Sequence, residues 1–141
     1  MRNHIIHIKS RLSGIGIMNE QLAKMCKEWT INKDVAFSMN LALEEIVTNI
    51  IHHGYNGREE CDITIRFSLE KYNLRIQIKD TAPEFNPLNA PEPDDLNKPL
   101  EERHVGGLGI HLVKKFTDNL TYRRMNSKNV ITLLKRLDNG N

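Results

Sequence analysis

The chain has 141 residues and a net charge of +2, which suits one domain built on one hydrophobic core. Apolar residues at 39% and charged residues at 27% exclude a disordered chain, and the small net charge weighs against a dedicated nucleic-acid binder. No apolar run approaches the ~20 residues of a membrane span, and the start, Met1 to Ile6, lacks the apolar core of a secretory signal, so a cytoplasmic protein is expected.

Ile6 and Ile8 alternate with His7 and Lys9, which predicts a short first strand. Ser13-Gly14 then reads as a break. From Met18 to Trp29 the apolar positions Leu22, Met25, Cys26 and Trp29 recur at helical spacing. Thr30 to Asp34 reads as a short polar connection. A long helix is predicted from Val35 to His53 on the stripe Val35, Met39, Ala42, Leu43, Ile46 and Ile50. Gly54 stands where a left-handed C-terminal cap belongs.

Two strands are expected next, Asp62 to Leu69 and Leu74 to Ile78, with residues 71–73 as the turn. Thr81 to Val105 has no period and holds all five prolines. A loop this long in a small domain is often a lid or binding loop, and a lid over about 84–105 is expected. Gly106-Gly107-Leu108-Gly109 opens a helix through Phe116. Strands from Leu120 to Met125 and from Val130 to Leu137 close the chain. This order favours antiparallel pairing and a two-layer α+β sandwich with the helices on one face of the sheet.

Three features carry candidate chemistry. Glu45, Asn49 and His53 are spaced four apart, so they stack on one helix face. An Asn amide oxygen is a hard ligand suited to Mg²⁺, and a Glu one turn earlier could accept a proton; a solvated polar face has the same spacing. Asp80 ends an apolar strand, with the small residue Ala82 two positions on and Phe85 beyond. Such a carboxylate could accept a hydrogen bond from the exocyclic amine of adenine, or simply end the strand before a proline turn. The glycines at 106, 107 and 109 precede a helix whose free N–H groups suit a phosphate, and a hinge into a helix would look alike. No GxxxxGK[ST] loop occurs. Cys26 and Cys61 form no CxxC pair, and His4, His7, His104 and His111 lack metal-ligand spacing. Arg123-Arg124 and Lys135-Arg136 read as solvated surface.

Taken in order, these motifs resemble the Bergerat-fold ATP-binding superfamily of gyrase, histidine kinase and MutL type. The run Leu43-Glu44-Glu45-Ile46-Val47-Thr48-Asn49-Ile50-Ile51-His52-His53-Gly54-Tyr55 is similar to the first box of bacterial anti-sigma factor serine/threonine kinases, and the likeness extends from about Val35 to Leu137. The resemblance implies Glu45 as catalytic base, Asn49 as the magnesium ligand and Asp80 as the adenine-binding carboxylate. Ala82 stands where the second box usually has glycine. Gly106, Gly107, Leu108 and Gly109 match the phosphate-side box. His53 falls where the family often has a polar residue near the phosphates, Arg103 lies at the lid end where a cation could meet a phosphate, and Thr132 corresponds to a strand Thr near the adenine. It further implies ATP and Mg²⁺ as cofactors, phosphoryl transfer to a serine or threonine, a sigma factor held inactive, a small anti-anti-sigma protein released on phosphorylation, and a homodimer. An ATP-dependent switch that binds a partner without transferring phosphate stays open beside it, because Glu44 offers a second carboxylate next to Glu45.

Overall fold

Alternation of apolar and polar residues decides which side of each strand is buried, and the helices cover that side. The computed structural model describes residues 1–89 and 107–137. In chain order these form β1 (Arg2–Lys9), α1 (Leu12–Glu28), α2 (Lys33–Asn49), β2 (Asp62–Glu70), β3 (Asn73–Asp80), α3 (Gly107–Phe116), β4 (Asn119–Met125) and β5 (Lys128–Arg136). The strands make one antiparallel sheet in the order β1-β2-β3-β5-β4. The result is the expected two-layer α+β sandwich. Residues 90–105 of the expected lid lie outside the described residues.

The sheet's inner face is set by cross-strand rows. Ile6, Ile65, Ile78 and Ile131 pair in one row, and all four are fully buried. Met18, Leu22 and Met25 of α1 and Met39, Leu43 and Ile46 of α2 belong to the same core. Each such side chain contributes about 1.5–3 kcal/mol on burial. The next row runs Ile8, Ile63, Asp80, Asn129 and Arg124. It therefore carries polar groups from β3 and β5 on the apolar side of the sheet. Asn32 caps α2 by accepting from the Asp34 and Val35 N–H groups at 2.8 and 3.4 Å. Burial pushes the Cys26 thiol up to about 11, which leaves it protonated and unreactive.

Two local expectations fail. Ser13 and Gly14 do not break the chain; both lie in the first turn of α1. Gly14 is buried there, and a Cβ on it would stand 2.5 Å from the Lys9 carbonyl oxygen. Glycine lets the helix start close to the end of β1. Gly14→Ala is expected to cost about 1–3 kcal/mol, because the obstacle is backbone. Gly16→Ala, with nothing within 4 Å, should gain about 0.5–1 kcal/mol from helix preference. Thermal unfolding of the two variants checks the contrast.

Gly54 is not a left-handed cap. It ends a π-helical turn, Ile50–Gly54, closed by the Tyr55 N–H donating to the Ile50 carbonyl at 2.8 Å. The left-handed residues come later, at Asn56 (φ 52°) and Gly57 (φ 79°). Gly54 lies beneath the segment that follows β3. A Cβ on it would lie 3.4 Å from Phe85 Cδ2 and 3.5 Å from Ala82 Cβ, so the segment after β3 rests on it.

Candidate functional site

Glu45 and Asn49 stand one turn apart on α2. Asn49 is 4% exposed. Its amide nitrogen donates to Glu45 Oε2 at 3.1 Å and to the Pro87 carbonyl at 3.2 Å. Two acceptors claim the NH₂ group, which leaves the amide oxygen as the free ligand atom; it accepts no hydrogen bond among the described residues. On the other side of Glu45, α3 packs against α2. The Glu45 carboxyl lies against Gly109, in the space a Cβ would need. Burial raises the Glu45 pKa above the ordinary carboxylate value, and the Asn49 hydrogen bond pulls it partly back.

Glu44 has a separate task. Its Oε1 accepts from Asn19 Nδ2 of α1 at 2.6 Å, and Asn19 Oδ1 accepts from Asn40 Nδ2 at 2.9 Å. The two adjacent carboxylates thus part: Glu44 ties α2 to α1, and Glu45 faces α3.

Asp80 closes β3 and is 2% exposed. Its Oδ1 accepts from the Ala82 N–H at 3.0 Å and from Asn129 Nδ2 at 2.8 Å. Burial raises its pKa, against the lowering effect of the Asn129 and Ala82 hydrogen bonds and the Arg124 charge. Tyr55, buried just after the π-helical turn, fixes the next residue. Its hydroxyl accepts from the Thr81 N–H at 2.7 Å and donates to the Asp62 carbonyl at 2.6 Å.

The strap that follows β3 lies over this ground. The Ala82 methyl is buried beside Gly54, and the Phe85 ring stands 6.1 Å from the His53 ring. With Pro87 on Asn49, the strap joins the two halves of the site. Glu45, Asn49, Gly109, His53, Asp80 and Ala82 are thereby gathered around α2, the start of α3 and the end of β3. Gly107 opens α3, and Leu108 follows in its first turn. Arg103, Gly106 and His104 lie outside the described residues.

Thr132 does not join them. It pairs with Gln77 of β3 and Thr121 of β4, one residue out of phase with Ile131 and Leu133, so it faces away from the helices. The β5 residue opposite Asp80 is Asn129. Sequence reasoning missed it, because the expected strand began at Val130 and left Asn129 in the turn before it, with Asn126 nearby.

A family model described as a histidine kinase-like ATPase domain matches residues 8–135. The chain belongs to this family. Among curated proteins, this histidine kinase-like ATPase domain is 28% identical over 116 residues to the serine-protein kinase RsbW of Bacillus mycoides, covering 80% of this chain and 72% of that one. It is 25% identical over 85 residues to the serine-protein kinase RsbW of Listeria monocytogenes, covering 58% and 54%. Among solved structures it resembles the RsbU and RsbW domains of a Mycobacterium tuberculosis protein, with a TM-score of 0.68 at 15% identity. That match covers 97% of this chain but a third (33%) of the other. A second, the histidine kinase AdeS of Acinetobacter baumannii, gives a TM-score of 0.50 at 17% identity, covering 99% and 70%. These two likenesses establish the fold. Among the described residues, no helix is long and apolar enough to cross a membrane.

The donor set of this ATPase domain fits a magnesium nucleotide. Asn49 offers one buried hard oxygen. A single hard oxygen suits a cation that takes most of its ligands from phosphates and water.

Proposed function

We propose that this chain binds Mg-ATP and transfers the γ-phosphoryl group to a serine or threonine of a small anti-anti-sigma protein, and that as a cytoplasmic homodimer it holds a sigma factor inactive. The observation that carries this reading is the meeting of Glu45 with Asn49 and with Gly109 of the glycine box, joined to Asp80 at the end of β3 by the strap that runs from Ala82 to Pro87. The name serine-protein kinase carried by relatives at about 28% identity supports it.

Asp80 would accept a hydrogen bond from the exocyclic amine of adenine. Its Oδ2 makes no hydrogen bond among the described residues, whereas Oδ1 makes two. At 2% exposure, Asp80 is reached only if the strap over it shifts. The Pro87 to Asn49 hydrogen bond is the contact that such a shift breaks on the magnesium side. Asn49 Oδ1 would hold Mg²⁺, which supplies charge neutralisation of the phosphates. Residues 106–109 would lie against the phosphates, with the first N–H groups of α3 as donors. Glu45 would take the proton of the attacking hydroxyl as its oxygen bonds the γ-phosphorus and ADP leaves. A carboxylate raised by burial is a better proton acceptor than one in water.

One observation favours a second reading, an ATP-dependent partner-binding switch. The Glu45 carboxyl is half-buried and already engaged between Asn49 and Gly109. ATP labelled at the γ-phosphate, incubated with the chain and an anti-anti-sigma protein, separates them. Label on a serine or threonine of the partner, with one ADP per phosphate, supports the kinase. A complex that forms only with nucleotide and carries no label supports the switch.

A further inference from the structure

Asn129 is fully buried at the start of β5. Its Oδ1 meets only donors: the Tyr122 hydroxyl at 2.6 Å, Arg124 Nη1 at 3.1 Å and the Phe85 N–H at 3.2 Å. Its Nδ2 meets only acceptors: Asp80 Oδ1 at 2.8 Å and the carbonyls of Pro83 and Ala82 at 3.1 and 3.3 Å. A flipped amide would set like against like on both sides, so its orientation is fixed. Arg124 adds a second hold, donating to the Ala82 carbonyl at 2.8 Å. The N–H that Asn129 aims at Asp80 is therefore imposed by the whole row.

We propose that Asn129 is the positioning residue that keeps Asp80 an acceptor-only carboxylate, and so sets a preference for 6-aminopurine over 6-oxopurine nucleotides. This rests on Asp80 recognising the base. Adenine presents an exocyclic N–H donor, whereas hypoxanthine presents an O6 acceptor. An ionised carboxylate only accepts, and a protonated one can donate. The groups facing Asp80 are Arg124 and Tyr122 from β4 and Tyr55 from the turn after α2. Burial favours the protonated form of Asp80, and the Asn129 hydrogen bond opposes it most strongly. Without the Asn129 N–H, the neutral carboxyl gains ground, and its proton on Oδ2 can meet O6.

The test uses a shape-matched pair, Asn129→Thr and Asn129→Val. Both are β-branched and suit a strand, but only threonine keeps a donor for Asp80. ATP and inosine triphosphate are titrated, each with Mg²⁺, against wild type and both variants. Wild type is expected to prefer ATP by about tenfold or more, the scale of one charge-assisted hydrogen bond. Asn129→Val should bring the two nucleotides within about threefold of each other, and Asn129→Thr should keep most of the preference. Equal ratios in the two variants overturn the proposal, since lost structure weakens both nucleotides alike. Equal affinities in wild type overturn it without any variant. Wild type that binds neither nucleotide overturns the reading of the site itself, and the proposal falls with it.

Discussion

Asp80→Asn is expected to lose ATP affinity by about 10- to 100-fold, the worth of a hydrogen bond to a charged group, while melting at a higher temperature than wild type at neutral pH. The two effects share one cause. Asp80 is held buried as a carboxylate, and burial raises its pKa above 3.8. A folded pKa above the unfolded value means that the folded state binds the proton more tightly. The stability this group contributes is then complete below the unfolded pKa and is lost as pH rises through the folded one. Asparagine does not titrate, and its oxygen can still accept from the Ala82 N–H and Asn129 Nδ2. The variant's advantage should therefore appear on going from acid to neutral pH and vanish at low pH. A gain of about 1 kcal/mol would move the melting temperature by roughly 2–4 °C in a domain of this size. Melting curves of both proteins across pH, beside ATP titrations, check the pair. A variant less stable than wild type at neutral pH would show that the charge is fully compensated by its neighbours.

On the proposed kinase reading, Gly109→Ala is expected to lower the phosphotransfer rate by about 10²- to 10³-fold, the scale of a lost general base, while leaving the fold intact. The new Cβ would occupy the space of the Glu45 carboxyl. A flexible side-chain end can swing away, and alanine suits a helix better than glycine, so the chain folds and Glu45 moves. The decisive comparison is a double-mutant cycle with Glu45→Gln. If Gly109 acts through Glu45, adding Gly109→Ala to Glu45→Gln should change the rate by less than about 0.5 kcal/mol in barrier. Losses that multiply would mean that Gly109 acts on the phosphates directly.

What the sequence showed depended on how far each inference reached along the chain. The helices and strands carry their periods within a dozen residues, so their order and the sandwich were legible. Glu45 and Asn49 were legible together because helical spacing alone stacks them. The part played by Gly109 against Glu45 was not, since it depends on how α3 packs on α2. The error at Thr132 has a similar origin. Asn129, Val130 and Ile131 are all buried in succession, so β5 lacks the clean alternation that would tell its two faces apart. Only pairing with β3 settles which residue meets Asp80. Glu44 and Glu45 look equivalent in the chain, and their separation needs Asn19, 25 residues away on α1. At Gly54 the residue type suggested a left-handed cap, whereas the chain makes a π-helical turn there and reaches left-handed backbone only at Asn56 and Gly57.

Calorimetric titration of ATP, with and without Mg²⁺, into wild type and Asn49→Ala bears most directly on a magnesium-nucleotide site between α2, β3 and α3. Wild type should bind ATP more tightly with Mg²⁺ than without it, and Asn49→Ala should bind with little dependence on the cation because the oxygen that holds it is gone. Folded wild-type protein that takes up no ATP at millimolar Mg-ATP would contradict the site altogether.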